Sequence, residues 1–158
     1  MVEMKGIMTD IHTVLQELKQ GSASEFCAIA WADRDNRMLR WQAAAGNLNE
    51  RYRQISFRSG QDLAGLVWRI GRPEALDAGT AGYERKRKES PIMLAEQLLA
   101  AAAFPISLQA SGPGVLLVGS RALRLYTAGD LERISAEVGV VFGSSIGSGG
   151  IEGDALHW

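Results

Sequence analysis

The sequence predicts an α+β domain in which a largely antiparallel sheet is flanked by helices from the two ends of the chain. Two observations support this prediction. Apolar residues recur with helical spacing in the first and last amphipathic segments, and two pairs of apolar, strand-like runs are each joined by a short turn. The length of 158 residues, with 46% hydrophobic and 22% charged residues, is typical of one globular domain.

The first three elements are a helix and two strands. The helix is predicted over Thr9–Gln20 and ends at Gly21, because glycine accepts the positive φ found at many helix ends. Phe26–Ala32 and, after a polar turn, Met38–Ala45 are predicted to form an antiparallel hairpin. The apolar stripe of the helix is Ile11, Val14, Leu15 and Leu18. The residues expected on one face of the second strand are Leu39, Trp41, Ala43 and Ala45.

The middle of the chain predicts short elements around one helix. Gln54–Phe57 has the composition of a short strand. Leu63–Ile70 is a predicted helix that Gly71 ends. Glu74–Asp77 is a predicted short strand, and Ala78–Ser90 has no apolar periodicity, so we expect a surface loop there.

The next helix has a clear start. Ser90 suits the N-cap, and Pro91 suits the first helical position because its missing N–H has no partner there in any case. This helix is predicted to end near Gln97. Leu99–Leu108 and Val115–Ser120 follow as two predicted strands.

The end of the chain predicts a turn, a helix and a tail. Ser111–Gly114 is a turn, and Thr127 with Asp130 forms a shortened capping box at the start of the last helix. The sequence divides into an N-terminal helix over 1–21, one domain over 22–146 that includes the last helix, and a flexible Gly-rich tail over 147–158. The apolar stripe of the last helix is Leu131, Ile134, Val138 and Val141.

Composition narrows the classes of function. A net charge of −1 gives no broad electrostatic attraction to nucleic acid or to an anionic membrane, so neither partner is expected. The first residues contain no apolar signal segment, and no apolar run approaches the length of a membrane span. Cys27 is the one cysteine, which excludes an internal disulfide and a cysteine-based zinc site. We therefore expect a cytoplasmic protein.

Few residues suit catalysis. The two histidines, His12 and His157, lie near the two termini, and we expect both in solvent. Cys27 is either an inert core residue or a thiol nucleophile. The basic run over 85–88 is bracketed by Glu84 and Glu89, so it is a solvated loop, a docking surface for an acidic partner or a funnel for a small anion.

Three stretches resemble the GAF domain family. They are the segment from Gly60 to Pro73, the strand pair around Ala103–Ile106 and Gly114–Ser120, and the helix start over Tyr126–Glu132. The resemblance implies a six-stranded antiparallel sheet with a ligand pocket over one face. It also implies a binding protein rather than an enzyme, with no cofactor and no metal.

The segment Glu89–Glu96 and the chain length resemble the nitrate-binding GAF receptors of bacterial Nre-type nitrogen regulation. This resemblance implies a nitrate receptor that modulates the sensor histidine kinase of a two-component system that responds to nitrate and oxygen. Helix N-termini bind small anions without a cationic side chain, and two predicted helix starts fit that chemistry. The ligand-binding residues that the resemblance implies are Trp41, Leu63, Ala64, Gly65, Ser90, Pro91, Ile92 and Met93.

Three other functions remain open from the sequence. The chain could be a GAF receptor for another small molecule, which a pocket larger than a few atoms would favour. It could be a thiol-based redox enzyme that uses Cys27. It could be a module that forms a homodimer through its first and last helices.

Overall fold

The computed structural model describes residues 4–33, 37–109 and 111–143, which contain six strands, five α-helices and a 3₁₀ turn. The strands are β1 (Phe26–Ala32), β2 (Leu39–Ala45), β3 (Ser56–Phe57), β4 (Glu74–Leu76), β5 (Ala100–Leu108) and β6 (Gly112–Ser120). The α-helices are α1 (Met4–Gly21), α2 (Asp62–Ile70), α3 (Tyr83–Lys88), α4 (Pro91–Ala95) and α5 (Ala128–Phe142), and a 3₁₀ turn covers Arg51–Gln54.

The strands form one six-stranded antiparallel sheet in the order β3-β2-β1-β6-β5-β4. The hairpin of β1 and β2 is confirmed, and β5 pairs with β6 along its whole length, from Ala100 opposite Ser120 to Leu108 opposite Gly112. The predicted α+β class and the six-stranded antiparallel sheet are therefore confirmed.

Apolar side chains cover both faces of the sheet. Helices α1 and α5 pack on one face, where Leu15, Ile134 and Val138 contact the sheet residues Ile29 and Leu116 in one buried cluster. Helices α2 and α4 cover the other face, which we call the α2/α4 face. Burial on both faces explains why β1, β5 and β6 are almost continuously apolar rather than alternating.

A β-bulge corrects the face predicted for β2. The pairing with β1 shifts between Ile29 and Ala30, so that Gln42 is an extra residue in β2. Side chains after a bulge point to the opposite face from the one that strict alternation predicts. Leu39 and Trp41 consequently belong to the cluster on the α2/α4 face. Ala43 and Ala45 belong to the cluster under α1 and α5.

The segment predicted as a loop over Ala78–Ser90 contains the helix α3, so that prediction was wrong in part. All six residues of this helix are exposed or only partly buried, and it has no apolar stripe that periodicity could reveal. Two polar contacts attach it to the fold. The hydroxyl of Tyr83 donates to the carbonyl of Leu99 at 2.6 Å, and Nε of Arg87 donates to the carbonyl of Leu98 at 2.7 Å.

Several boundaries differ from their predictions. Helix α1 begins at Met4 rather than Thr9, and most of the predicted turn over Ser111–Gly114 is the start of β6. A 3₁₀ turn extends to Gln54, the first residue of the predicted strand over Gln54–Phe57, and β3 keeps only the last two residues, Ser56–Phe57. In α5, Val141 is 43% exposed and does not share the buried stripe.

Three predicted helix boundaries are confirmed, whereas α4 ends at Ala95 rather than near Gln97. Gly71 ends α2 with φ of +73°, and Oγ of Ser90 accepts a hydrogen bond from the N–H of Met93 in α4. Thr127 and Asp130 form the capping box of α5. The tail predicted over 147–158 and His157 lie outside the described residues. None of the described helices is long and apolar enough to cross a membrane.

Candidate functional site

The α2/α4 face gathers most of the predicted ligand-binding residues. Trp41, Leu63, Ala64, Ile92 and Met93 share one buried cluster. Gly65 and Ser90 are also buried, whereas Pro91 is exposed at the first position of α4. The structure thus brings the side chains of five of the eight residues together between the sheet and the two helices, and leaves Pro91 at the surface.

The indole of Trp41 is the most unusual polar group of this cluster. The side chain is fully buried, and its ring packs against Phe57 with centroids 5.4 Å apart. Its Nε1–H has no hydrogen-bond partner within the described residues. A buried N–H without a partner costs free energy, because it loses its hydration, so native proteins nearly always provide one. An acceptor atom supplied by a ligand would satisfy this N–H.

The first turn of α2 provides a second N–H donor. The N–H of Leu63 donates to the carboxylate of Asp62 at 2.6 Å, and the N–H of Gly65 donates to the carbonyl of Gln61 at 3.0 Å. Among the described residues, no acceptor engages the N–H of Ala64. Such unpaired N–H groups in a first turn concentrate the positive end of the helix dipole.

The first turn of α4 is arranged in a similar way. Its N-cap, Ser90, accepts the N–H of Met93 at 3.4 Å, so that donor is already engaged. No hydrogen bond within the described ranges uses the N–H of Ile92. Trp41, Ala64 and Ile92 are thus three members of one buried cluster, and each carries an N–H that has no partner in the part of the chain that the structure describes.

Gly65 has a packing role. A Cβ at this position would lie 2.3 Å from the carbonyl oxygen of Arg58 and 3.2 Å from the nitrogen of Gly60. The N–H of Gly60 donates to the carbonyl of Gly65 at 2.8 Å. The missing side chain therefore allows the loop before α2 to approach the helix, and the atoms that require glycine belong to this chain rather than to a ligand.

The sequence analysis did not single out Asp62. Its carboxylate accepts the N–H of Leu63 through one oxygen and the hydroxyl of Ser90 through the other, at 3.0 Å. We call this pair of hydrogen bonds the Asp62–Ser90 link. Burial raises the pKa of the Asp62 carboxyl above its usual range, and the hydrogen bonds from Leu63 and Ser90 oppose that shift. The sequence did contain a signal that could have identified Asp62, because acidic residues are favoured in the first turn of a helix.

A buried ion pair fixes the far end of α4. Glu96 is fully buried, and one of its oxygens accepts both the N–H of Leu48 at 2.7 Å and the guanidinium of Arg121 at 2.8 Å. Nε of Arg121 also donates to the Glu96 carbonyl at 2.8 Å. These contacts tie α4 to the loop after β2 and to the end of β6.

A partly open cleft lies outside the N-terminal end of α2. Its volume is about 500 Å³, and it includes Asp62 and Leu63 but not Trp41 or Ile92. Lys86 of α3 and Glu89, the residue that follows this helix, also line the cleft. The other lining residues are Gly60, Gln61, Leu66, Glu74, Ala75, Leu76 and Thr80.

The remaining candidates for chemistry are weak. His12 is exposed, as expected, and no group of three or more metal-binding side chains occurs within the described ranges. In the basic run, Arg85 pairs with Glu89 at 3.3 Å and Arg87 binds a backbone carbonyl. Two of its four cations are therefore engaged by the chain itself.

Cys27 is fully buried in the cluster under α1 and α5, on the other side of the sheet from Trp41. Burial raises the pKa of its thiol far above the usual value, with a smaller opposing effect from Lys19. Because the thiolate is the nucleophile, we expect Cys27 to react with a thiol reagent only as fast as the protein unfolds. Labelling followed by mass spectrometry measures this. Rapid, complete labelling in native buffer would contradict it and would favour the thiol-enzyme alternative.

A curled antiparallel sheet with a buried site on the face opposite the terminal helices defines a GAF-type domain. A hypothetical protein of S. aureus is 30% identical, with a TM-score of 0.63 over 73% of this chain and 95% of that one. An NreA protein from Staphylococcus aureus, mutated in its nitrate binding site, is also 30% identical, with a TM-score of 0.63 over 73% of this chain and 88% of that one. The chain therefore belongs to the GAF family and is an NreA-type domain.

A more distant structure supports the fold alone. The GAF domain of an Acinetobacter phosphoenolpyruvate-protein phosphotransferase is 16% identical, with a TM-score of 0.62 over 92% of this chain and 79% of that one. No protein-family model and no curated protein matches the chain. The two S. aureus structures and this one together support a GAF-type receptor for a small molecule.

Proposed function

We propose that the chain is a receptor for nitrate or a closely similar small anion, and that it carries out no catalytic step. The observation that carries this proposal is the fully buried indole N–H of Trp41, which has no partner within the described residues. The same cluster contains Ala64 and Ile92, each with an unpaired backbone N–H at a helix start. Nitrate has three acceptor oxygens, so a site that binds it needs mainly hydrogen-bond donors.

The electrostatics favour an anion of low charge density. N–H dipoles and helix N-termini can attract such an anion without a cationic side chain. Apolar neighbours such as Met93 exclude water, and hydrogen bonds are stronger in such surroundings. The 30% identity to the NreA protein with a nitrate binding site supports nitrate as the anion.

We propose further that the protein is cytoplasmic and that ligand binding modulates a sensor histidine kinase of a two-component system. Support comes from the resemblance to Nre-type receptors. In physical terms, nitrate would favour the form of the receptor that binds it more tightly, and the kinase would distinguish the two forms. The effect on the kinase cannot exceed the difference in nitrate affinity between those forms. The first and last helices are the surfaces through which a homodimer would form.

Thermal unfolding across an anion panel tests the proposal. Ligand at about 100 times its dissociation constant stabilises a protein by about 2.7 kcal/mol. For a domain of this length each kcal/mol raises Tm by about 2–4 °C, so we expect nitrate to raise Tm by roughly 5–10 °C. Chloride and sulfate at the same ionic strength are expected to have little effect.

A prior unfolding and refolding step in nitrate-free buffer serves as the control for anion retained from purification. Equal effects of nitrate and chloride after this step would contradict a selective anion site. A rise with nitrite as large as that with nitrate would support a small-anion receptor but not one for nitrate alone.

The cleft favours a second candidate function, a GAF receptor for a larger molecule. Its volume of about 500 Å³ exceeds what a four-atom anion needs, and carboxylates of Asp62, Glu74 and Glu89 line it. An amine-bearing metabolite would suit these carboxylates. Stabilisation by such a compound, with no effect of nitrate, would favour this candidate over the anion receptor.

A further inference from the structure

The start of α2 already holds an anion, which belongs to the chain itself. One carboxylate oxygen of Asp62 accepts the N–H of Leu63 at 2.6 Å, and the other accepts the hydroxyl of Ser90 at 3.0 Å. A carboxylate resembles nitrate in being a planar anion whose oxygens share one charge. The carboxylate thus occupies one of the helix donors that would attract an incoming nitrate.

Asp62 connects the two parts of the candidate site, which are the cleft and the buried cluster that contains Trp41. It lines the cleft, whereas the next residues of α2, Leu63 and Ala64, belong to the buried cluster with Trp41. Its partner Ser90 is the N-cap of α4, the helix that contains Ile92. The Asp62–Ser90 link therefore joins the two helix starts that carry the unpaired N–H groups of Ala64 and Ile92.

We propose that Asp62 is a built-in competitor of the anion, so that tight anion binding requires its carboxylate to lose its charge or to move from the start of α2. This inference rests on the proposed function. Two negative charges that share one partly buried helix start repel each other, and removing one strengthens the binding of the other. The unpartnered Trp41 indole is the independent sign that a ligand belongs on this face.

The backbone at Asp62 is consistent with this role. Its φ is +66°, a left-handed conformation that favours glycine and that side chains other than Asn and Asp rarely adopt. The carboxylate hydrogen bonds offset that cost. The charged side chains that line the same cleft as Asp62 are Glu74 of β4, Lys86 of α3 and Glu89, which directly follows α3, and Arg69 of α2 lies close to Gly60.

The charge of the Asp62 carboxylate determines whether nitrate affinity rises or falls with pH. Nitrate remains an anion at all accessible pH values, whereas Asp62 becomes neutral as the pH falls through its pKa, which burial raises. We expect nitrate affinity of the wild type to increase as the pH is lowered from 7.5 towards 5. Linkage requires that bound nitrate in turn raises the pKa of Asp62.

Isothermal titration with sodium nitrate tests the inference on the full chain. Asp62→Asn keeps the shape and the hydrogen bonding to Ser90 but removes the charge, so we expect about tenfold tighter binding at pH 7.5 and a flat pH profile. Glu89→Gln is the matched control, because it removes another carboxylate of the same cleft, one that pairs with Arg85 and not with the donors that hold Asp62. Its affinity and pH profile are expected to match the wild type.

Asp62→Gly provides a second variant that suits the left-handed backbone, and it should also bind nitrate more tightly than the wild type. If the wild type binds nitrate and both Asp62 variants bind it with the same affinity and pH profile as the wild type, this inference alone is overturned. Binding by the variants but not by the wild type at pH 7.5 would support it strongly. No binding by any of the proteins would overturn the proposed function and the competition together.

Discussion

Replacement of Trp41 by phenylalanine is expected to weaken nitrate binding by about tenfold to a hundredfold, with the fold retained. The change removes the indole N–H, and a hydrogen bond to a charged partner contributes about 1.5–3 kcal/mol. A phenyl ring can still pack against Phe57, so most of the apolar contact at this position is kept. Isothermal titration gives the affinity, and circular dichroism checks the fold.

The matched control for this change is Trp31→Phe. Trp31 packs against the cluster under α1 and α5, on the opposite face of the sheet from Trp41. Its replacement makes the same chemical change without touching the candidate site, so nitrate affinity should be unaffected. Equal nitrate affinities of Trp41→Phe and the wild type would show that the indole N–H does not bind the anion. The main support for an anion receptor would then be lost.

Replacement of Gly65 by alanine is expected to destabilise the protein by about 3 kcal/mol or more. A Cβ at this position would lie 2.3 Å from the carbonyl oxygen of Arg58, and a backbone atom can move only if the loop moves with it. Overpacking of this kind commonly costs about 1–3 kcal/mol and sometimes more. Denaturant unfolding measures the change, which corresponds to a fall in Tm of roughly 6–12 °C.

Gly129→Ala is the matched control for Gly65→Ala. Gly129 also lies in the first turn of a helix, α5, but the nearest atom to its added Cβ is Oγ1 of Thr127 at 3.8 Å. Alanine is the better helix former by up to about 1 kcal/mol, so this variant should be neutral or slightly stabilised. Similar stability of Gly65→Ala and the wild type would contradict the close approach of the loop to α2.

Local signals predicted much of this fold from the sequence. Ser90 and Pro91 located the start of α4, Thr127 and Asp130 located the start of α5, and Gly71 located the end of α2. These signals depend on a few neighbouring residues, so they can be recognised from the sequence alone. The same information located the two helix starts on which the anion hypothesis depends.

Features that depend on distant contacts were missed. The bulge at Gln42 arises from the pairing of β2 with β1, and strict alternation therefore placed Trp41 and Ala43 on the same face. Helix α3 has no apolar stripe, and its contacts with the carbonyls of Leu98 and Leu99 join residues far apart in sequence. Hydrophobic periodicity contains no information about either feature.

The ligand-binding residues that the resemblance implies remain a prediction, and the contacts around them could not be predicted from the sequence. The resemblance supplied Trp41, Leu63, Ala64, Ile92 and Met93, which do share one buried cluster. It did not indicate that Asp62 occupies the N–H of Leu63, or that the packing of Gly65 against Arg58 requires a glycine. Both facts depend on how a loop and a helix pack together, and a sequence motif does not describe such packing.

The proposed receptor function depends on anion binding at the N–H groups of Trp41, Ala64 and Ile92. A nitrate titration followed by ¹H–¹⁵N correlation NMR tests it most directly, with the Trp41 indole signal assigned from the Trp41→Phe spectrum. We predict saturable shifts of the Trp41 indole signal and of the Ala64 and Ile92 amide signals, all with one dissociation constant. Shifts confined to cleft residues such as Lys86 and Glu89, or no saturable shift at all, would contradict the claim.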